Sequence, residues 1–230
     1  SMNIFYFTSD LFSSVLATSM VSLLENNKKA DDITFYIIDD GISNESIEKL
    51  REVVHNYHRK IEFIKAPDPS DLFDFKFKSR YQIGHSYVRM AIGTLLPKSV
   101  KKVIALDSDT LVTGSLQELW DTQLGDNIMG GVNDCINLDA FQRQFGLKKG
   151  ELYCNAGFYI IDLEKWREEN IEQDIRRIIR EKNGNIFFFE QTLMNYVCKG
   201  RILQLPPKYN CYTMFYAFSY EDSISWRRPT

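Results

Sequence analysis

The chain has 230 residues, of which 44% are hydrophobic and 26% are charged, with a formal net charge of -3. This length and apolar content suit one large α/β domain with a substantial core. The charge balance gives none of the basic surface that a phosphate backbone attracts, so we expect no nucleic-acid partner. The 4 cysteines show neither C-x-x-C spacing nor pairing with histidine, which argues against a zinc site and indicates reduced thiols in the cytoplasm.

The sequence predicts a cytoplasmic protein. No apolar stretch approaches the length of a membrane span, and the N-terminus enters a strand pattern without the features of a signal peptide. The segment from Ala66 to Arg80 is rich in Pro, Asp, Phe and Lys. Its Lys76–Arg80 stretch could touch an anionic acceptor or, peripherally, the inner face of a membrane, although a solvated loop is the simpler interpretation.

Strands and helices alternate from the N-terminus. Apolar patterns predict strands over 3–8, 33–38 and 61–64, with helices over 11–24 and up to Tyr57 between them, and Ser43 as the cap of the second helix. This β-α-β-α-β order predicts parallel strands joined by right-handed crossovers. No G-x-G-x-x-G follows the first strand, which argues against the dinucleotide-binding version of such a sheet.

The rest of the chain continues the pattern. We predict helices over 87–96, 116–120, 171–182 and 190–197, and strands over 102–106, 128–132, 156–161 and 202–203. The whole predicts one α/β domain, built on a mixed, mostly parallel sheet flanked by helices.

The sharpest chemical signal follows the strand Val103–Leu106. Asp107 and Asp109 lie one residue apart at its carboxyl end, where ligands collect in open α/β sheets. In an extended segment alternate side chains point the same way, so the two carboxylates could share one hard divalent cation. The alternative is a turn in which the Asp side chains bond the backbone.

Six motifs in this order carry a resemblance to glycosyltransferase family 8. They are Tyr87-Val88-Arg89, Leu106-Asp107-Ser108-Asp109-Thr110-Leu111-Val112, Leu119-Trp120-Asp121, Cys154-Asn155-Ala156-Gly157-Phe158, Asp162-Leu163-Glu164-Lys165-Trp166 and Glu190-Gln191-Thr192-Leu193. The family includes bacterial lipopolysaccharide galactosyl- and glucosyltransferases and glycogenin. The resemblance implies a GT-A fold, a UDP-hexose donor, Mn²⁺ (or Mg²⁺), and transfer with retention of anomeric configuration.

The resemblance implies a donor site around the acidic pair. Asp107 and Asp109 would hold the metal, which neutralises charge as it develops on the leaving β-phosphate. Ser108 would lie against the ribose, and Arg89 would reach the donor sugar or phosphate with its planar fork of donors. A surface ion pair is the alternative for Arg89.

Four further residues would act near the transferred sugar. Asn155 and Ala156, at the start of a strand, would hydrogen-bond sugar hydroxyls, although their motif could equally be an ordinary turn. Asp134, just past a neighbouring strand, would by resemblance contact the transferred hexose or its acceptor. Glu190 would bind donor hydroxyls.

Gln191 would stabilise an oxocarbenium-like centre from the face opposite UDP. An amide is too weak a nucleophile for the covalent route that carboxylates follow in retaining hydrolases. We therefore expect a front-side mechanism, in which the leaving phosphate accepts the proton of the acceptor.

The sequence departs from the family in two places. Relatives carry an acidic residue and an Asn after the first strand, where uracil and ribose bind. Here Ser9 and Leu11 occupy those two places, or Asp10 has shifted by one position, so the resemblance implies donor contacts from Thr8, Ser9 and Asp10. No histidine follows His85, whereas the family has a metal-ligating histidine near the C-terminus. We therefore expect that this form lacks the family's C-terminal segment and holds metal and donor weakly.

These patterns favour a hexosyltransferase that moves glucose or galactose onto a saccharide or lipid-linked saccharide in surface polysaccharide or lipopolysaccharide synthesis. The alternative is a nucleotide-sugar binding module without transferase activity. A nucleotidyltransferase would need a basic, Gly-rich phosphate loop after the first strand, which 8–12 does not supply.

Overall fold

A seven-stranded sheet forms the centre of the molecule. The computed structural model describes residues 1–78, 85–134, 146–148, 150–186 and 189–211. Their strands are β1 (Met2–Thr8), β2 (Ile33–Asp39), β3 (Lys60–Lys65), β4 (Lys102–Leu106), β5 (Met129–Asn133), β6 (Cys154–Asp162) and β7 (Ile202–Gln204), in the order β3-β2-β1-β4-β6-β5-β7. The predicted strands are confirmed, with ends that move by at most two residues.

One strand runs against the others. β1 pairs parallel with β2 and β4, β2 with β3, and β5 with β7, whereas β6 lies antiparallel between β4 and β5. The prediction of a mixed, mostly parallel sheet is confirmed. Because β6 is reversed, its first residues lie beside the carboxyl ends of β4 and β5.

Helices lie on both faces of the sheet. They are α1 (Ser13–Asn26), α2 (Asn44–Asn56), α3 (Pro69–Phe73), α4 (His85–Val88), α5 (Ile92–Leu95), α6 (Gln117–Trp120), α7 (Leu163–Glu168), α8 (Ile171–Glu181) and α9 (Phe189–Val197), with 3₁₀ turns over Asp10–Phe12, Arg89–Ala91 and Pro207–Tyr209. The Ser43 hydroxyl accepts a hydrogen bond from the Ser46 N–H, which confirms it as the N-cap of α2.

Burial on both faces explains why the strands are apolar throughout. Along β1, Phe5 packs into the core under α8 and α9, while Ile4 and Tyr6 pack into the core under α1 and α2. Side chains alternate along a strand, and a strand covered on both sides therefore reads as a continuous apolar run.

The predicted helix over 87–96 is interrupted. It consists of α4, a 3₁₀ turn at Arg89–Ala91 and α5. Gly93 packs so closely on α7 and α8 that a Cβ there would overlap Glu172 Oε2, and the Glu172 carboxylate also accepts from the Thr94 hydroxyl. These contacts join α5 to α7 and α8.

The segment predicted to be an irregular loop contains a short helix, α3. Of its basic stretch, Lys76 and Lys78 are exposed, whereas Phe77 is buried against Tyr87 and is not available for an external contact. Residues 79 and 80 lie outside the described residues. In the described part of the chain, no helix is long and apolar enough to cross a bilayer.

Candidate active site

The predicted site residues meet at the carboxyl edge of the sheet. Thr8 ends β1, Asp107 follows β4, and Asp134 follows β5. Asn155 opens the reversed strand β6, while α9 lies against that strand. Residues distant in sequence are thus brought to one edge by the topology, as expected for an open α/β sheet.

The acidic pair lies in a turn. β4 ends at Leu106, Ser108 and Asp109 form a turn, and the Thr110 hydroxyl donates to the Asp107 carbonyl at 2.8 Å. The expectation that strand alternation aligns the two carboxylates is therefore wrong, because the backbone is no longer extended there. The Asp107 carboxylate nevertheless faces Arg89, and Asp109 is exposed to solvent.

Arg89 lies between two carboxylates. One terminal nitrogen of its guanidinium lies 2.6 Å from Asp107 Oδ1 and 3.9 Å from Glu190 Oε1, and the other donates to the Ala156 carbonyl at 3.1 Å. Only 11% of its side chain is exposed, so this is not the surface ion pair that the sequence left open. Burial alone would lower the pKa of Arg89, but the charges of Asp107 and Glu190 outweigh it and raise the pKa.

Glu190 is the more deeply buried of the two carboxylates. Its side chain is 20% exposed, against 38% for Asp107. Burial raises the pKa of Glu190, and the nearby charge of Arg89 opposes this shift. Arg89 therefore helps to hold Glu190 in its ionised form.

Asp134 is the centre of an amide network. Its Oδ2 accepts hydrogen bonds from Asn155 Nδ2 and Gln191 Nε2, each at 2.9 Å. Backbone donors fix both amides, since the Ala156 N–H donates to Gln191 Oε1 at 3.0 Å and the Gly157 N–H to Asn155 Oδ1 at 2.8 Å. Each amide oxygen faces a backbone N–H, so each NH₂ must face Asp134.

Gly157 joins the network to the acidic turn. Its carbonyl accepts from the Asp107 N–H at 3.0 Å. A Cβ on Gly157 would lie 2.8 Å from Asn155 Oδ1 and 3.1 Å from Asp107 Oδ2, both tighter than ordinary contact. The absence of a side chain thus lets Asp107 and Asn155 approach each other.

Asp10, predicted to lie near the donor, is joined to the start of α2. Asp10 Oδ1 accepts from the Ser43 N–H at 3.0 Å and the Ser46 hydroxyl at 2.8 Å, and the bonds to Ser43 and Ser46 lower its pKa. Asp10 therefore ties the loop after β1 to the N-terminus of α2.

The other residues expected to contact uracil and ribose lie closer to the sheet. Thr8 is buried and its hydroxyl donates to the Ser9 carbonyl at 3.3 Å. The Ser108 hydroxyl donates to the Phe7 carbonyl at 3.2 Å, which places Ser108 between the ends of β1 and β4.

Two amides at the site were not foreseen from the sequence. Asn210 Nδ2 donates to Asn155 Oδ1 at 3.0 Å, so the segment after β7 reaches the network. Asn195 is 1% exposed and bonds both backbone groups of Cys154. Its position four residues after Gln191 was the available signal, because residues four apart share one helix face.

The site is separate from a cleft on the described surface. That cleft, of about 820 Å³, is lined mainly by residues of α5, α7 and α8, including Gly93, Trp166, Arg167 and Arg176, and by none of the predicted site residues. Within the described residues, no group of three or more His, Cys, Asp or Glu side chains is arranged to hold a metal ion. The acidic pair Asp107 and Asp109 offers two carboxylates, which are oxygen ligands of the type that Mn²⁺ and Mg²⁺ prefer.

Sequence comparison identifies the family of this site. The family described as Glycosyl transferase family 8 matches residues 3–227. The chain belongs to this family. The resemblance carried by the six sequence motifs is thereby confirmed.

Two curated relatives in glycosyltransferase family 8 illustrate its range. A Haemophilus influenzae protein named as a candidate glycosyltransferase is 30% identical over 213 residues, covering 91% of this chain and 63% of that protein. A lipopolysaccharide 1,2-glucosyltransferase of Escherichia coli is 26% identical over 231 residues, covering 92% of this chain and 63% of that enzyme. The chain therefore spans less than two thirds of the length of these two relatives.

A solved structure of the family confirms the fold. The galactosyltransferase LgtC, in complex with donor and acceptor sugar analogs, superposes with a TM-score of 0.84 at 27% sequence identity. The match covers 99% of this chain and 82% of that chain. The predicted GT-A architecture is confirmed by this likeness.

Proposed function

We propose that this chain is the donor-binding and catalytic domain of a retaining hexosyltransferase that uses UDP-glucose or UDP-galactose. The observation that carries the proposal is the convergence of Arg89, Asp107 and Glu190 with the network of Asp134, Asn155 and Gln191 at the carboxyl edge of the sheet. The carboxylates and Arg89 offer groups for a diphosphate and its metal, and the amides offer groups for a sugar.

Asp107 and Asp109 would hold the cation, Mn²⁺ or Mg²⁺. When bound, this ion supplies positive charge that stabilises the leaving UDP. The exposure of Asp109 and the partial exposure of Asp107 leave both carboxylates open to such a ligand. Arg89 restrains Asp107 and offers its donors to the donor sugar or phosphate, while Ser108, Thr8 and Ser9 would border the nucleoside.

Gln191 and its partners would act on the transferred hexose. Gln191 is oriented by Ala156 and Asp134, so its amide is held in one position before any substrate arrives. Both ends of the amide are engaged, which suits electrostatic stabilisation of an oxocarbenium-like centre better than nucleophilic attack. Glu190, Asn155 and Asp134 would bind sugar hydroxyls, and the leaving phosphate would accept the acceptor proton.

The acceptor would be a saccharide or a lipid-linked saccharide. The supporting observation is the similarity to a lipopolysaccharide 1,2-glucosyltransferase along most of the chain. Such an acceptor would place the protein in the cytoplasm, peripherally at the inner face of the membrane during surface polysaccharide synthesis. Lys76 and Lys78 are exposed cations that could meet an anionic surface.

Isothermal titration tests the proposal. We expect UDP, UDP-glucose or UDP-galactose to bind in the presence of Mn²⁺, and the affinity to fall when EDTA replaces the metal. Hydrolysis of one UDP-hexose, or transfer to a panel of methyl glycosides, with product of unchanged anomeric configuration, would support a retaining transferase. Binding without turnover would support a nucleotide-sugar binding module instead. Absence of binding to all three nucleotides would overturn both.

A further inference from the structure

The first residues of β6 lack strand partners on the β4 side. The pairing of β6 with β4 begins at Phe158, and its pairing with β5 is irregular between Cys154 and Tyr159. Buried backbone groups need hydrogen-bond partners, and here side-chain amides supply them. Gln191 and Asn155 serve the N–H groups of Ala156 and Gly157.

Asn195 completes this arrangement at Cys154. Asn195 Oδ1 accepts from the Cys154 N–H at 2.6 Å, and Asn195 Nδ2 donates to the Cys154 carbonyl at 2.8 Å. The same nitrogen donates to the Gln191 carbonyl at 2.8 Å. The two bonds to Cys154 are buried, and Asn195 itself is 1% exposed. The two bonds to Cys154 thus form a clamp between α9 and β6, and the third lies within α9.

The position of Asn195 ties the clamp to the candidate active site. Gln191 lies one helical turn before it on the same face of α9. Cys154 directly precedes Asn155 and Ala156, which contact Asp134 and Gln191 respectively. A shift of α9 along β6 would therefore break the bond between Gln191 and Ala156 and move the Gln191 amide away from Asp134.

We propose that Asn195 is a positioning residue for the transfer reaction. It fixes α9 against the start of β6 so that Gln191 keeps the orientation that transfer requires, and it acts through Gln191 without touching the substrate. The proposal rests on the hexosyltransferase function proposed above. Displacement of a catalytic group by about 1 Å can slow a reaction about 100-fold, so loss of this clamp can lower the rate substantially.

Asn27 provides a matched control. It is 3% exposed, its Nδ2 donates to the Leu23 carbonyl at 2.8 Å and its Oδ1 accepts from the Leu116 N–H at 2.7 Å. Asn195→Ala and Asn27→Ala thus each remove a buried amide that bonds both kinds of backbone group. We expect both variants to melt at a lower temperature than the parent protein. If Asn195→Ala does not fold, Asn195→Asp replaces it, because Asp has nearly the same size and keeps an oxygen that can accept from the Cys154 N–H.

Kinetics of UDP-hexose hydrolysis with Mn²⁺ separate the two roles. We expect Asn195→Ala to lower kcat about 10- to 100-fold while KM for the UDP-hexose changes less than about twofold. Asn27→Ala should leave both constants near those of the parent. The double variant Asn195→Ala/Gln191→Ala should be no slower than Gln191→Ala alone, because the clamp acts through Gln191. The proposal would be overturned if the fold losses in kcat of the two single variants multiplied in the double variant. Equal kinetics in Asn195→Ala and Asn27→Ala would also overturn it.

Hydrogen exchange gives a readout that needs no turnover. The Ala156 N–H is protected by Gln191, so it reports the register between α9 and β6. Its exchange should accelerate in Asn195→Ala and Asn195→Asp but not in Asn27→Ala. Unchanged exchange in both Asn195 variants refutes the clamp, whereas a parent protein that neither binds nor hydrolyses a UDP-hexose refutes the proposed function.

Discussion

Replacing Arg89 with methionine removes a cation that lies 2.6 Å from Asp107 and 3.9 Å from Glu190. At about 4 Å and an effective dielectric constant of about 20, one such pair attracts by about 4 kcal/mol. Asp107 is 38% exposed and water can replace its partner, so the loss falls mainly on Glu190, which is 20% exposed. Removing one member of a buried pair costs about 3–5 kcal/mol, and we expect Arg89→Met to lose that much stability at pH 8.

The loss of stability in Arg89→Met should depend on pH. Burial raises the pKa of Glu190 above its ordinary 4.5, so the folded protein binds this proton more tightly than the unfolded chain does. A contribution of this kind is fully present below the unfolded pKa and is lost as pH rises through the folded pKa. Without Arg89 the folded pKa of Glu190 rises further, because the opposing positive charge is gone. The stability deficit of Arg89→Met should therefore be smaller at pH 5 than at pH 8.

Urea denaturation of the parent, Arg89→Met and Arg89→Met/Glu190→Gln at both pH values measures this effect. Each variant is compared with the parent at the same pH. The double variant should recover most of the deficit at pH 8, because the neutral amide leaves no buried charge. An equal deficit at both pH values, or no recovery in the double variant, would refute the account of Glu190.

Three further variants separate the site from the scaffold. Gly157→Ala places a Cβ 3.1 Å from Asp107 Oδ2, whereas Gly130→Ala places one 3.1 Å from Ile160 Cγ2; both should cost about 1–3 kcal/mol by thermal melting, but only the first should weaken Mn²⁺-dependent UDP binding in calorimetry. Arg167→Ala removes donors to the carbonyls of Gly93, Leu96 and Val100, and should cost about 3 kcal/mol while UDP affinity stays at the parent value. Equal loss of UDP affinity in both glycine variants, or weaker UDP binding in the arginine variant, would contradict this separation.

Much of the fold follows from local patterns in the sequence. The apolar runs of β1 and β2 predict strands covered on both faces, and the cap at Ser43 marks the start of α2. The spacing of Ile171, Ile175 and Ile178 predicts α8, whose buried face they form. These features are short-range, so periodicity and capping rules detect them.

Features that depend on tertiary contact escaped prediction. Gly93 of α5 packs closely against α7 and α8, a contact that no local pattern encodes. Asp10 lies in a position suited to a ligand, yet its carboxylate bonds Ser43 and Ser46 from another helix. The role of Asn195 depends on the reversed direction of β6 and on the absence of a β4 partner at Cys154.

The candidate site, like the fold, could be predicted from the sequence only in part. Motif order pointed to Arg89, Asp107 and Gln191, and the structure brings each of them to one edge of the sheet. Their mutual contacts were not predictable, because they require α9 and the 3₁₀ turn after α4 to approach β6 from outside the sheet. The orientation of each amide is fixed only once its backbone partner is known.

The metal dependence of UDP affinity tests the central claim most directly. Asp107→Asn/Asp109→Asn removes both carboxylates, and Asp31→Asn/Asp32→Asn removes the same charge from the loop before β2. Calorimetric titration with UDP, with Mn²⁺ and with EDTA, should show that the first pair abolishes the gain in affinity due to the metal, while the second retains it. If the Asp107/Asp109 variant binds UDP as tightly as the parent in Mn²⁺, these two carboxylates do not hold the ion and the proposed donor site is wrong.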